Sequence, residues 1–210
     1  MSTTKTKNLV ILGLLLAIII IFSTTPYGTI PINPALSITL NTIPIALAAV
    51  SLGVTGSVIM GAAFGICSFL QAAGIMMPST MGVTLFGISP VLTFVQCVVP
   101  RALDGLCVGL LYTGIAKLLN KESACFAAGF CSAFLNTVFF MSSLVILFGK
   151  TPYLQDMIQD KGNGNVIAFI IALVGMNAVF EMLASTLITG AIGIALHRAK
   201  LIPSPVKAKA

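Results

Sequence analysis

The sequence predicts an all-α membrane protein, a six-transmembrane-helix bundle with its N- and C-termini cytoplasmic. Composition, the spacing of the apolar runs and the placement of the basic residues all lead there. Of the 210 residues 58% are hydrophobic and 8% charged, and the mean hydropathy is +1.09. Soluble domains carry roughly 25% charged residues, so this composition belongs to the bilayer class. A membrane-crossing helix takes about 20 apolar residues. Six spans with short connections use up residues 1–210 as a single integral membrane domain.

The elements follow in chain order. Residues 9–22 are an unbroken apolar run behind Lys5 and Lys7. The run resembles a secretory signal, but Ser23-Thr24-Thr25-Pro26 offers no small-residue cleavage site, so it reads as the first span. Pro26, Gly28, Pro31 and Pro34 then make a turn-rich or partly re-entrant connection. A second span covers about residues 40–52, with Gly53 as a stop, and a third covers about 54–73. Both are short, and the second is tilted or partly shielded by protein. Residues 74–90 form a long uncharged loop rich in Met, Gly and Pro, either a lid or a passive connector. The fourth span, about 91–119, carries Pro100 near its start. Lys121-Glu122 mark a polar turn before a fifth span, about 124–148. Residues 149–165 hold most of the remaining charges, and a sixth span, about 166–196, leads to a cytoplasmic basic tail at 201–210.

Charge orients the bundle. With the N-terminus inside, Lys5, Lys7, Lys117, Lys121, Arg198, Lys200, Lys207 and Lys209 face the cytoplasm and only Lys150 and Lys161 lie in an outside loop. That asymmetry obeys the positive-inside rule and requires an even number of spans.

Several chemistries are excluded. There is no phosphate-binding G-x-x-x-x-G-K-[ST] loop and no H-E-x-x-H, and His197 is the single histidine. Cys67, Cys97, Cys107, Cys125 and Cys131 form no C-x-x-C pair and read as small buried hydrophobes. No metal, cofactor or catalytic set is expected, so the chain is not an enzyme. Nor are carboxylates spread over several spans, as in a proton-driven carrier.

Arg101, Asp104 and Glu181 are the ionisable residues at membrane depth, where charge usually faces a protein interior or a cavity. Arg101 and Asp104, spaced i, i+3, can simply pair on one helix face. Glu181 is neutral, hydrogen-bonded to another span, or facing a ligand. Asn41 opens the second span, Asn136 lies in the fifth, and Asn177 shares a face with Glu181 one turn later. Singly, each amide reads as glue between helices. As a set with Arg101 and Glu181 they suit a small polar solute. Gly13-x-x-x-Ala17 and Gly61-x-x-x-Gly65 permit close helix approach.

Residues 24–53, TTPYGTIPINPALSITLNTIPIALAAVSLG, the run VVPRALDGLCVGLLY, the run LNTVFFMSSLVILFGK, and the closing VGMNAVFEMLASTLITGAI carry a further signal. With the first span they resemble the substrate-binding S components of energy-coupling factor (ECF) vitamin transporters, over nearly the whole chain. The Asn-Thr of the fifth span and the Asn-x-x-x-Glu of the sixth are the most specific elements. The resemblance implies a bacterial plasma-membrane subunit that captures one vitamin from outside. It also implies partners: a membrane coupling subunit and two cytoplasmic ATPases. Gly13 and Ala17 occupy the family's docking motif for the coupling subunit, with Gly where Ala is usual.

Within the family the sequence looks most like the pantothenate-type branch. The implied site is Asn41, Arg101, Asn136, Asn177 and Glu181, with Arg101 pairing the vitamin's anion and the amides meeting its polar middle. Asn41 departs from the His expected there, and Asp104 is a competing partner for Arg101. If Glu181 lines the cavity as an anion, a pyridoxine-like or aminopyrimidine vitamin fits instead. Without Trp, and with three Tyr, a large stacked ligand such as folate or cobalamin fits poorly. The reading from another class is a self-sufficient ion-coupled transporter.

Overall fold

The computed structural model of the chain describes residues 3–33 and 36–202. Most of the expected tail, residues 203–210, lies outside the described residues. The first helix, α1 (Thr3–Thr24), ends where the Thr24 and Thr25 hydroxyls donate back to the Ile20 and Ile21 carbonyls and Pro26 bars continuation. The proline-rich stretch is a single 3-10 turn, Pro26–Gly28, followed by an antiparallel hairpin of β1 (Thr29–Asn33) and β2 (Leu36–Thr39). The architecture is therefore helical apart from this short hairpin.

The expected second and third spans form one element, α2 (Thr42–Ala72), broken at Gly53, whose φ of 71° and ψ of −158° suit glycine alone. Thr42 lies beside Ser132, which neighbours Asp104. Val50 lies far down the bundle, packed with Tyr112 and Cys125. After the break the chain climbs along α4 in the opposite sense: Val54 meets Gly109, Ser57 meets Gly105, and Gly65 meets Val98. The two limbs thus run in opposite directions. Residues 42–51 are buried throughout, and limb 42–52 is only about 16 Å long at ~1.5 Å per residue. That is short of the ~30 Å hydrocarbon core, and protein, not lipid, surrounds it.

Two connections hold helices where loops were expected. Within 74–90 lies α3 (Thr80–Ile88), capped by the Ser79 hydroxyl accepting from the Gly82 N–H at 3.0 Å. Within 149–165 lies α6 (Pro152–Gly162), capped by Thr151 and closed by left-handed Asn163. Ser-x and Thr-Pro are ordinary helix starts, and low charge at 74–90 hid the first of them. The remaining helices are α4 (Pro90–Leu118), α5 (Lys121–Phe148) and α7 (Val166–Arg198). Their caps are Ser89, Asn120 and Asn165.

Among the described residues five helices are long and apolar enough to cross a membrane, with α2 counted once despite its break. Their outward faces carry Leu14, Ile21, Leu110, Ile146, Ile171 and Leu187, all exposed, while Gln96, Arg101, Asp104, Glu181 and Ser185 are buried. Apolar surface outside and polar groups inside is the partition a lipid solvent imposes. Small residues bring the helices together: Gly61 and Gly65 of α2 seat against the α4 backbone, and Gly129 of α5 against α7.

The two ends of the bundle differ. At one end the α4–α5 turn and the end of α7 are joined by an Arg198–Glu122 ion pair at 3.2 Å and a Tyr112–His197 hydrogen bond at 2.9 Å. At the other, α3 and α6 close over α5 and α7 through a cluster of Leu85, Met141, Phe148, Leu154 and Phe169.

Candidate functional site

At the end capped by α3 lies a cavity of about 300 Å³. The second limb of α2 supplies Phe64, Ser68 and Gln71, and α3 supplies Met81, Gly82 and Leu85. The first halves of α4 and α7 and the second half of α5 complete the wall, with Thr39 at the end of the hairpin and Asn41 at the start of α2. Asn41, Arg101, Asn136, Asn177 and Glu181 all line it. Five residues spread over 140 positions thus converge on one space.

Arg101 is 7% exposed. Its Nη1 donates to the Gln96 carbonyl at 2.9 Å and its Nη2 to the Ser68 hydroxyl at 3.4 Å. The Phe140 ring centre lies 4.3 Å and the Phe64 ring centre 5.4 Å from the guanidinium carbon, so aromatic faces flank the cation. Among the described residues Arg101 Nε is buried without a partner.

Of the alternatives open for Arg101 and Asp104, the i, i+3 pair is not formed: among the described residues no ion pair joins Arg101 to a carboxylate. Asp104, fully buried, is not part of the cavity wall and has the Ser132 hydroxyl 3.3 Å from its Oδ2. The physical reason is that Arg101 finds neutral acceptors on its cavity side, while Ser132 on α5 meets Asp104 behind it.

Glu181 accepts the Thr39 backbone N–H at 2.9 Å through Oε1, which ties the hairpin's end to α7. Of the three readings open for it, hydrogen bonding to another segment and exposure to the cavity hold together. Among the described residues Asn41 Oδ1 and Asn136 Oδ1 are buried without partners. So is Gln96 Oε1, while Gln96 Nε2 donates to the Phe140 carbonyl at 2.9 Å. Unsatisfied buried acceptors are costly, and a ligand with N–H or O–H donors would satisfy these.

Sequence reasoning missed Gln96, Ser68, Thr93 and the two phenylalanines. Gln96 left a readable trace, a lone amide five residues before the only arginine at membrane depth. Phe64 and Phe140 left none, because phenylalanines are ordinary in lipid-facing helices. Gly13 and Ala17 are not part of the cavity wall; they lie on an exposed face of α1, and no described atom approaches within 4 Å of a Cβ built on Gly13.

A family model described as the substrate-specific component of ECF transporters matches residues 7–193. The chain belongs to this family. As an S component it is a membrane transport protein and not an enzyme, in agreement with the resemblance read from its spans. This S component is also similar to the pantothenate transporter PanT of Leuconostoc mesenteroides subsp. mesenteroides. The two are 28% identical over 200 residues, covering 92% of this chain and 93% of the relative.

Proposed function

We propose that this S component captures pantothenate and delivers it to a separate coupling subunit and two cytoplasmic ATPases. The observation that carries the reading is a buried guanidinium on a cavity wall, hydrogen-bonded to neutral acceptors and to no carboxylate among the described residues, and so placed to pair with an anionic ligand. Pantothenate has a carboxylate, an amide and two hydroxyls. Its carboxylate would pair with Arg101, a charge-assisted contact strong in a dry site. Its donors would meet Glu181 and the acceptor oxygens of Asn41, Asn136 and Gln96, with Asn177 on the same wall. A cavity of about 300 Å³ suits a small vitamin. The PanT relative supports the same ligand.

Glu181 on the wall favours a second reading, a pyridoxine-like or aminopyrimidine vitamin. A heteroaromatic ring needs a stacking face, however, and the aromatic residues of the wall, Phe64 and Phe140, both flank Arg101. Pantothenate is the better fit.

The membrane arrangement belongs to the same proposal. We infer a single domain with six crossings in a bacterial plasma membrane, the short first limb of α2 completing one of them together with the hairpin that leads into it. Lys117, Lys121, Arg198 and Lys200 gather at the end opposite the cavity, which supports cytoplasmic termini and an outward-facing site. The open surface at Gly13 and Ala17 supports docking of the coupling subunit there.

Calorimetry of the detergent-purified chain against a panel of B vitamins tests the ligand: pantothenate should bind most tightly, and binding of an aminopyrimidine in its place would transfer the assignment to the second reading. If the chain alone accumulates solute in ion-loaded liposomes, it is a self-sufficient carrier and the proposal fails.

A further inference from the structure

Pro100 sits inside α4 and has no N–H. The carbonyl four residues earlier, that of Gln96, therefore lacks its helical donor. Arg101 takes that oxygen with Nη1 at 2.9 Å. The side chain of Gln96 completes the brace, since Nε2 donates to the carbonyl of Phe140, whose ring flanks the same guanidinium.

We infer that Pro100 is a positioning residue for the anion site: by removing one backbone donor it frees the Gln96 carbonyl to hold Arg101 in place before any ligand arrives. The inference rests on the reading of Arg101 as the ligand's cationic partner. Its physical sense lies in the nature of the anchor. A carboxylate would orient the guanidinium equally well but would cancel its charge, and Asp104, one turn away, is kept behind the wall by Ser132. A neutral carbonyl fixes the geometry and leaves the positive charge for the ligand. Ordering the side chain in advance removes an entropic cost from binding.

The test uses the full chain in detergent, labelled with ¹⁵N at arginine. There are two guanidinium groups, Arg101 and Arg198, and Arg198 is largely exposed, 75% by side chain, with its ion pair to Glu122 open to water, so it serves as the solvent-exposed control. In the unaltered protein Arg101 should show resolved, slowly exchanging Nη resonances while those of Arg198 are averaged. Pro100→Ala restores an N–H that competes for the Gln96 carbonyl, and the Arg101 resonances should then average. In calorimetry the same variant should bind pantothenate roughly tenfold more weakly. Panthenol, the neutral alcohol counterpart, should change by less than about twofold, since it has no anion to lose. Averaged Arg101 resonances in the unaltered chain would overturn the inference even if Pro100→Ala failed to fold. So would an equal loss for both ligands, which would mean that Pro100 only shapes the helix, or no change in either readout. If neither ligand binds the unaltered protein while the resonances behave as expected, the pantothenate reading fails and the positioning role stands for another anion.

Discussion

Gly65→Ala is a small change that should be felt in the binding site. A Cβ at position 65 would lie 2.6 Å from the Val98 Cα and 2.8 Å from the Cys97 carbonyl oxygen. Both are backbone atoms of α4, so no rotamer change relieves the contact. Restoring an ordinary separation of 3.4 Å moves the helices apart by about 0.8 Å at this level. Overpacking of this kind costs about 1–3 kcal/mol. At the usual scaling for a chain of this size that lowers the melting temperature by roughly 2–12 °C. The displaced stretch carries Gln96, Cys97 and, one turn on, Arg101, all on the cavity wall. A shift of 0.8 Å stretches a ~2.9 Å hydrogen bond beyond the useful range. Losing one charged hydrogen bond costs about 1.5–3 kcal/mol, or roughly 10- to 150-fold in affinity. Thermal unfolding and pantothenate calorimetry on the purified chain measure both effects. Gly13→Ala is the control: its Cβ meets nothing within 4 Å, so neither quantity should move. If Gly65→Ala matches the control in both assays, the close α2–α4 packing does not support the site.

Arg101→Ala should weaken pantothenate by about 2 kcal/mol or more, roughly thirtyfold, and an unchanged dissociation constant would remove Arg101 from the site. Replacing Gly13 and Ala17 together by Leu should leave vitamin binding intact but abolish co-purification with the coupling subunit; binding lost with assembly preserved would refute the docking role. Gly53→Ala forces a Cβ into a backbone region reserved for glycine and should cost about 1–3 kcal/mol of stability, read as a lower melting temperature. A melting point equal to that of the unaltered chain would show that the α2 reversal tolerates a side chain.

The bilayer class, the apolar runs and the ionisable residues at membrane depth were legible in the sequence because hydration and lipid transfer act on each residue singly. Leu14 or Ile171 prefers hydrocarbon wherever its neighbours stand, and a lone Arg101 or Glu181 at depth signals a cavity for the same reason. Gly53 was visible as a stop between two spans. Its positive φ, and the reversal that buries residues 42–51 among the other helices, became evident only with α4 and α5 in place. Spacing allowed Arg101 to pair with Asp104. Which partner each found depended on Ser132, Ser68 and Phe140, residues on other helices. Convergence of Asn41, Arg101, Asn136, Asn177 and Glu181 on one cavity is likewise a property of helix faces meeting. Close packing fixes those faces through contacts between residues far apart in the chain, and no local pattern encodes them.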